Sequence, residues 1–420
     1  MKLIGVSAMF TGSGKTSVTC ALLSHFVNSV QIKIGPDYID PIVESAVSGK
    51  HGYNIDRWLQ GNLVSRVMGQ ASTGSEVGIV EGVMGLYDSG IGKQFSTISY
   101  FNKLGIKYAL VVDMQKSAES IYYAAKGFIG KNCVGVILNR YMGEKHLKMV
   151  EDVFQEHGVP IIGRIPFDAE MHIEERHLGL SIDREKEKLK DIGSKIAQYI
   201  DFSFMEKVED VKFDPVYAET YEGDRKVAVA MDDAFRFYYE TSLDFLRSNF
   251  KVEFFSPMKN EVPHDPDFIY LGGGYPELFP EKLEDSEKTK EFLKDYAKNK
   301  GVIFAECGGT MYLLERMKVG EKYYNMSGVL KGGSWMEKRP VLNYTLLEIQ
   351  GRNPFFKVGR NIQGHEFHYG RIKTQERFSM KTLRGTGIDG FDGIIKNNTL
   401  GMYTHIDLFR YGKAIMSHKW

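Results

Sequence analysis

Short apolar runs recur along the first half of the chain, and each is followed by a polar turn or by a segment with helical spacing. The runs KLIGVSA, VQIKIG, VGIVEG, YALVVD and VGVILN are rich in β-branched residues, as strands are. Strands that alternate with helices are typical of a parallel sheet covered on both faces. The pattern predicts an α/β domain that extends to residue 200.

A second series of strands begins at KVAVAM and continues through KVEFFSP, DFIYLGGG and GVIFAEC. Residues 201–224, between the two series, are acidic and show no periodicity, which is typical of a linker. The sequence therefore predicts two α/β domains, at 1–200 and 225–420, each built on a doubly wound, mostly parallel sheet.

Composition narrows the class of protein. A chain of 420 residues is too long for one ordinary core. Its 54 basic and 54 acidic residues give no net field that would attract nucleic acid or an anionic membrane. The three cysteines lack the spacing of a disulfide framework or a zinc site. The apolar start is interrupted by TGSGK, too early for a signal peptide or a spanning helix, so we expect a cytoplasmic protein.

The segment TGSGKTS lies between a predicted strand and a predicted helix, as a phosphate-binding loop requires. Backbone N–H groups and the helix N-terminus would surround the phosphates, Lys15 would reach the terminal ones, and Thr16 would hold magnesium. One departure is Met9, where the strict loop pattern has glycine. The candidate ATP-binding residues are Gly12, Ser13, Gly14, Lys15, Thr16, Ser17 and Asn139, the last at the end of VILN for a base-edge contact.

Acidic residues follow two other predicted strands. Glu81 ends VGIVEG, and IKIGPDYIDP brings Lys33, Asp37 and Asp40 around a Gly-Pro turn. Because the carboxyl ends of parallel strands meet at one edge of a sheet, these charges indicate a site there. Carboxylate oxygens are suitable ligands for Mg²⁺.

The run VIFAEC-GGTMYLLE predicts a strand, a sharp corner at Cys307 and then a helix. A thiol at such an elbow is exposed for attack, and N–H groups at the helix start, including that of Gly308, would hold an oxyanion. The glycine loop of IYLGGGYPEL could supply a second donor from Gly273 or Gly274.

A cysteine nucleophile also needs a base. His405 in YTHIDL is the first candidate, with Asp407 as a residue that orients it. GHEFHYGR offers two rivals, His365 and His368, which could instead line a polar substrate site.

Seven segments, in order, resemble the cobyrinic acid a,c-diamide synthase family: GPDYIDP, EGVMGLYD, IPFDAEMHIEERHLGL, VAMDDAFRFYY, GGGYPELF, AECGGTMYLLE and GHEFHYGR. That family joins a dethiobiotin-synthetase-like, P-loop NTPase-like ATP domain to a class I glutamine amidotransferase domain. The resemblance implies that Cys307 is the nucleophile and that His405 raises its reactivity. It also implies that Lys15, Thr16 and Glu81 serve ATP and magnesium, and that Asp37, Asp40 and Asp88 lie near the reacting carboxylate.

The implied reaction is the amidation of the a and c acetates of a modified tetrapyrrole, with ATP and L-glutamine as the other substrates. ATP would convert each carboxylate to an acyl phosphate, and ammonia released from glutamine would displace the phosphate. A polyanionic macrocycle needs basic contacts, for which the candidates are Arg176, His177, His365, His368 and Arg371. Resemblance to dethiobiotin synthetase also implies a homodimer.

Several alternatives remain open from the sequence. A nickel-sirohydrochlorin a,c-diamide synthase would use the same chemistry on another macrocycle, and a cobyric acid synthase would amidate other arms of the ring. The segments GPDYIDP and EGVMGLYD favour the diamide enzyme over the latter. A non-catalytic alternative is a P-loop switch with an inert amidotransferase-like appendage, which the intact elbow at Cys307 disfavours.

Overall fold

A computed structural model describes residues 1–171, 173, 182–213 and 224–416, with backbone only at 182–184. The chain divides into two compact units. The N-terminal unit comprises Met1–Arg57 and Asn62–Tyr217, and the C-terminal unit comprises Trp58–Gly61 and Ala218–Trp420. Within the described residues, no helix is long and apolar enough to cross a membrane.

The N-terminal unit is built on a seven-stranded sheet with the order β3-β2-β4-β1-β5-β6-β7. Its strands are β1 (Lys2–Ala8), β2 (Ser29–Ile34), β3 (Tyr53–Ile55), β4 (Val77–Glu81), β5 (Lys107–Asp113), β6 (Cys133–Tyr141) and β7 (Ile161–Pro166). The helices in this part of the chain are α1 (Lys15–His25), α2 (Ile39–Ser48), α3 (Arg57–Gln60), α4 (Val64–Ser72), α5 (Thr97–Leu104), α6 (Ser120–Ala125), α7 (Glu144–Glu156) and α8 (Ile182–Ala197).

Neighbouring strands of this sheet pair in parallel. Strand β5 is buried at five consecutive positions because helices cover the sheet, which explains why the strands are apolar without alternation. In the register of β2 and β4, Lys33 lies opposite Glu81. The carboxyl ends of the strands therefore bring their terminal polar residues to one edge.

The C-terminal unit contains one eleven-stranded sheet. Its strands are β8 (Lys226–Ala230), β9 (Lys251–Phe255), β10 (Phe268–Leu271), β11 (Val302–Glu306), β12 (Arg316–Val319), β13 (Lys322–Asn325), β14 (Gly333–Ile349), β15 (Asn361–Lys373), β16 (Arg377–Arg384), β17 (Phe391–Lys396) and β18 (Thr399–Met402). Its helices are α9 (Glu240–Asn249), α10 (Pro280–Glu284), α11 (Glu287–Lys298), α12 (Gly308–Leu313) and α13 (Leu408–Met416).

The strands β9-β8-β10-β11-β18 form a parallel core, and an antiparallel arm of β17, β16, β14 and β15 continues from β18. Alternate residues of the central core strands β8, β10 and β11 belong to two hydrophobic clusters. Ala228 and Ala230 of β8 enter one cluster, and Val227 and Val229 enter the other. Because β8, β10 and β11 are covered on both faces, they are apolar without alternation. The predicted α/β fold class is confirmed, whereas the antiparallel arm was not anticipated.

Candidate functional site

The loop between β1 and α1 holds its glycines in conformations that other residues avoid. Gly12 and Gly14 have φ angles of 78° and 92°, in the left-handed region. A Cβ on Gly14 would also lie 2.4 Å from the Asn139 side-chain nitrogen. Because Gly14 stands directly before α1, backbone N–H groups and a helix N-terminus converge there, an arrangement that suits a phosphate.

This loop borders a cavity of about 920 Å³. The cavity lining includes most of the N-terminal residues selected from the sequence, namely Gly12, Gly14, Lys15, Thr16, Ser17, Lys33, Asp37, Asp40 and Glu81. Ser13 instead donates its hydroxyl hydrogen to the Phe10 carbonyl at 2.9 Å. Asp88 is exposed and accepts the Gly85 N–H at 3.0 Å. Arg176 and His177 lie outside the described residues.

Lys33 is the centre of a charge cluster in this cavity. Its ammonium forms an ion pair with Asp40 and lies 2.7 Å from Glu81 Oε1 and 3.7 Å from Asp37 Oδ2. Burial alone would lower the pKa of Lys33, but Asp40 and Glu81 raise it well above its usual range. Burial opposes the ionisation of Asp40, yet Lys33 lowers the pKa of that carboxyl. Burial and the charge of Asp40 raise the pKa of Asp37 to about 7.

Two threonines of α1 contact the same carboxylates. The Thr16 hydroxyl lies 3.3 Å from Asp40 Oδ1 and 3.2 Å from Glu81 Oε1. Thr19 donates to Glu81 Oε2 at 2.6 Å. Hydroxyl and carboxylate oxygens are the ligands that Mg²⁺ prefers. Thr16, Asp40 and Glu81 therefore form an oxygen donor set that fits this ion beside the phosphate loop.

Glu44 of α2 is a neighbour that the sequence analysis missed. Its side chain is fully buried, and neither oxygen accepts a hydrogen bond from a donor in the described part of the chain. Burial, followed by the charge of Glu81, raises the pKa of Glu44 well above its usual range. An acid beside Val43 and Val47 on the buried face of an amphipathic helix is the signal that could have revealed it.

Asn139 and Arg140 hold the phosphate loop from the end of β6. The Asn139 amide donates to the Ser13 carbonyl at 2.9 Å, and Arg140 donates to the Gly12 carbonyl at 2.8 Å. Arg140 also pairs with Asp113 Oδ2 at 3.0 Å and has a φ angle of 63°. Arg140 and Asp113 were not selected from the sequence, although Asp113 ends the predicted strand YALVVD and Arg140 directly follows VGVILN.

In the C-terminal unit, Cys307 forms a strained corner between β11 and α12, but the residue is only 3% exposed, whereas the sequence analysis expected an exposed thiol. Its φ and ψ angles are 45° and −107°, which a non-glycine residue rarely adopts. Its N–H donates to the Met402 carbonyl at 2.7 Å, and its Sγ lies 3.7 Å from the Phe367 carbonyl. The elbow also needs glycine at Gly309, since a Cβ there would lie 2.4 Å from the Leu271 carbonyl.

The glycine loop after β10 lies against both the elbow and His405. A Cβ on Gly273 would be 2.2 Å from His405 Cε1, and one on Gly274 would be 2.0 Å from the Ala234 carbonyl. The Gly309 N–H donates to the Gly272 carbonyl at 3.1 Å. The predicted donors Gly273, Gly274 and Gly308 thus belong to one closely packed corner, since a Cβ on Gly308 would lie 2.9 Å from the Gly274 carbonyl.

The acid beside His405 is Glu306, the residue before Cys307. Glu306 Oε2 lies 3.7 Å from His405 Nδ1 and accepts the Tyr270 hydroxyl at 2.8 Å. Glu306 Oε1 accepts the Ile406 N–H at 3.0 Å. These contacts fix the carboxylate in the position of an orienting acid.

Asp407, expected in that position, is directed elsewhere. Its carboxylate accepts the Phe409 N–H at 3.0 Å and therefore caps the N-terminus of α13. Thr241, Ser242 and Gln60 donate to the same carboxylate at 2.8, 3.2 and 2.9 Å. An aspartate directly before a helical pattern was a capping signal, and the expectation of Asp407 beside His405 is corrected to Glu306.

The two other histidines are buried in the same unit. The His365 ring stacks on that of His405 with centroids 5.0 Å apart, and its Nδ1 is 2.9 Å from the Tyr239 hydroxyl. Burial, and then the neighbouring His405, lower the pKa of His365 well below its usual range, so it is neutral. His368 stacks on Tyr403 at 3.8 Å, and its Nδ1 lies 2.8 Å from the Gly370 carbonyl.

Two charged residues lie close to Cys307 and Tyr403. Glu277 follows Pro276, whose Cδ would be 2.8 Å from a Cβ on Gly308. Burial raises the pKa of Glu277 to about 7. Burial, and then the charge of Glu277, raise the pKa of the Cys307 thiol. Arg371 follows Gly370, where a Cβ would be 3.0 Å from the Tyr403 hydroxyl. Burial raises the pKa of Tyr403 well above its usual range, and the charge of Arg371 offsets part of that rise.

Nothing in the described parts of either unit resembles a preformed metal cage. Among residues 1–171, 173, 182–213 and 224–416, no group of three or more His, Cys, Asp and Glu side chains is arranged to hold an ion. Magnesium is usually bound through one or two carboxylates together with substrate phosphates, so the oxygen donors near Thr16 remain a suitable site.

Comparison with known families assigns each half of the chain. Residues 4–180 match the CobQ/CobB/MinD/ParA nucleotide binding domain. Residues 226–412 match the CobB/CobQ-like glutamine amidotransferase domain. The chain is therefore an enzyme of the class that joins a nucleotide-binding domain to a glutamine amidotransferase domain.

Full-length relatives narrow this class to one family. The chain is 34% identical to the cobyrinate a,c-diamide synthases of Sulfolobus acidocaldarius and Saccharolobus solfataricus. These alignments cover 96% and 99% of this chain, and 97% and 100% of the relatives. A Clostridium tetani protein of the same name is 32% identical, with 97% of each chain covered. The chain belongs to the cobyrinate a,c-diamide synthase family, and the resemblance found in the sequence is confirmed.

Proposed function

We propose that this chain uses ATP and glutamine to amidate the a and c acetate carboxylates of cobyrinate, a step in cobalamin biosynthesis. The observation that carries the proposal is that one polypeptide contains both a phosphate loop bordered by acids and a cysteine elbow beside a His–Glu pair. The first supports activation of a carboxylate, and the second supports release of ammonia. The name and near-complete length of the relatives support the choice of substrate.

In the C-terminal unit, here called the glutaminase half, Cys307 Sγ attacks the side-chain amide carbon of glutamine. Because burial raises the pKa of this thiol, a base must accept its proton during attack, and His405, oriented by Glu306, is that base. The N–H groups of Gly273 or Gly274 and of Gly308 receive the oxyanion. His405 then gives the proton to the amide nitrogen, so that the C–N bond breaks and ammonia leaves, and water hydrolyses the thioester to glutamate and the free Cys307 thiol.

Glu277 and Arg371 are suited to the two ends of the glutamine molecule. They carry opposite charges when ionised and lie near Cys307 and Tyr403. The glutamine ammonium would pair with Glu277 and its carboxylate with Arg371. This assignment transfers Arg371 from the tetrapyrrole to glutamine. His365 and His368, also expected to contact the tetrapyrrole, are buried, and we propose that they pack beside the glutaminase site instead.

In the N-terminal unit, here called the synthetase half, the phosphate loop and Lys15 bind the ATP phosphates. Thr16, Asp40 and Glu81 would hold magnesium. The ion would neutralise charge on the phosphates. Lys33 pairs with both Asp40 and Glu81, and against the effect of burial it lowers the pKa of Asp40. The acceptor carboxylate attacks the γ-phosphoryl group of ATP and releases ADP, and neutral ammonia then attacks the resulting acyl phosphate to give the amide, inorganic phosphate and a proton. Asp37 and Asp88 are proposed neighbours of the acceptor.

The remaining expectations belong to the same proposal. They are the use of magnesium, a contact of Asn139 with the nucleotide, a cytoplasmic location and a homodimer. Arg176 and His177 are proposed to contact the polyanionic macrocycle.

The decisive experiment replaces the nucleophile. Cys307→Ser should abolish synthesis with glutamine and leave synthesis with ammonium salts near the wild-type rate, because the serine variant lacks only its nitrogen supply. Product masses from cobyrinate, from nickel-sirohydrochlorin and from cobyrinate a,c-diamide identify the acceptor. Failure of ammonium to rescue Cys307→Ser would contradict the assignment of ammonia release to Cys307 and of carboxylate activation to the nucleotide-binding half. A diamide formed only from nickel-sirohydrochlorin would show that this macrocycle, and not cobyrinate, is the acceptor.

A further inference from the structure

The short segment Trp58–Gly61 belongs to the C-terminal unit, although the chain before and after it belongs to the N-terminal unit. Leu59 and Gln60 are each 1% exposed. No motif in the sequence marks this segment, and the match to the amidotransferase family begins far beyond it, at residue 226. Its polar contacts nevertheless reach two stretches of backbone beside His405, one just before His365 and one just after His405.

Trp58 contacts the first of these stretches. Its indole N–H lies 3.1 Å from both the Thr345 and the Gly364 carbonyls. Gly364 precedes His365, which exchanges two backbone hydrogen bonds with His405, at 3.0 and 2.7 Å. A Cβ on Gly364 would lie 2.3 Å from the His405 carbonyl oxygen, so the two backbones are in close contact.

Gln60 contacts the second stretch. Its amide donates to Asp407 Oδ2 at 2.9 Å, two residues after His405. Asp407 is fully buried, and burial raises the pKa of its carboxyl despite hydrogen bonds from Gln60 and Thr241. An ionised carboxylate in such a place depends on each of its donors.

Arg410 links the two contacts. Its Nη1 donates to the Trp58 and Leu59 carbonyls at 2.6 and 3.0 Å, and its Nη2 donates to Gln363 Oε1 at 2.6 Å. The segment is therefore bonded to β15 just before His365 and to the turn just after His405. Those two points flank the His365–His405 backbone pair.

We propose that Trp58 and Gln60 are positioning residues of the glutaminase site, which hold the His405 backbone so that its imidazole stays beside Glu306 and Gly273. The inference rests on the proposed role of His405 as the base. Neither residue takes part in the chemistry. Their effect would be geometric, because a displacement of about 1 Å in a catalytic group can lower a rate by roughly a hundredfold.

The test replaces Gln60 by methionine, which has a similar length but no donor. Gln60→Met should lower kcat for glutamine hydrolysis and for glutamine-dependent synthesis by about tenfold or more, with KM for glutamine changed less than about twofold. Synthesis with ammonium salts should remain within about twofold of wild type. Asn249→Leu is the matched control, because it removes another buried amide hydrogen bond of this unit, to the Phe245 carbonyl at 2.8 Å.

Trp58→Phe, which keeps a ring but loses the indole N–H, provides a second variant if Gln60→Met does not fold. It should give the same selective loss with glutamine. Equal losses with glutamine and ammonium, an equal loss in Asn249→Leu, or no loss at all would overturn the proposal. A wild-type chain that forms no amide even with ammonium would instead refute the proposed function, and glutamate release would still report on the positioning role.

Discussion

At the scale of single residues, the carboxylates of the C-terminal unit differ according to the donors around them. Burial opposes ionisation of Glu366, but His368, Asn343 and two backbone N–H groups lower its pKa overall. Glu277 has few such donors, and burial raises its pKa to about 7. The local supply of hydrogen bonds therefore decides which of these acids is charged at neutral pH.

The raised pKa of Glu277 predicts a pH-dependent effect on stability. Between pH 4.5 and about 7, the unfolded chain has released this proton while the folded chain still holds it, so the free energy of unfolding falls as pH rises. Glu277→Gln has no proton to release. The free energy of unfolding of this variant, relative to wild type, should rise from pH 4.5 to 7 and then level off, as measured by urea denaturation at several pH values. A constant difference would contradict the environment described for Glu277.

At the scale of elements, the site depends on glycines that let separate pieces of backbone approach closely. The loop after β10 touches both the corner after β11 and the residues after β18. Strands β10, β11 and β18 are neighbours in the parallel core, so their carboxyl ends are adjacent. The proximity of the glycine loop, Cys307 and His405 follows from this adjacency.

Gly273→Ala tests that packing. The new Cβ would lie 2.2 Å from His405 Cε1, so the imidazole must move away from the elbow. We expect glutamine-dependent synthesis to fall by about a hundredfold while ammonium-dependent synthesis is kept. Gly127→Ala, at a position with no atom within 4 Å of the new Cβ, should leave both rates unchanged. Retention of glutamine-dependent synthesis in Gly273→Ala would mean that His405 is not the base.

At the scale of the whole molecule, two chemistries depend on each other. Ammonia is a good nucleophile only while it is unprotonated, and a carboxylate accepts it only after activation. The nucleotide-binding and amidotransferase halves of this chain supply these two requirements. Variants in the two halves should therefore respond differently to a change of nitrogen donor.

Lys15→Ala tests the nucleotide half. Loss of the positively charged Lys15 side chain should weaken stabilisation of the transferring phosphoryl group. Synthesis should therefore fall by about a hundredfold or more with either nitrogen donor. The measurement is amide formation with glutamine and with ammonium. Cys307→Ser is measured in parallel as the variant that should lose synthesis with glutamine only. Rescue of Lys15→Ala by ammonium would remove Lys15 from the activation step.

The sequence by itself determined the local features: the apolar strands, the glycine-rich phosphate loop, the elbow at Cys307 and the family. The first three depend on residues adjacent in the chain, whose backbone preferences and periodicity can be recognised directly, and the family follows from seven such segments taken in order. Tertiary structure decided which acid lies beside His405. Glu306 reaches it because β11 and β18 are neighbours, whereas Asp407, only two residues away, is directed to the N-terminus of α13. Trp58 and Gln60 depend even more on folding, since about 350 residues separate Gln60 from Asp407 and only chain packing brings them together.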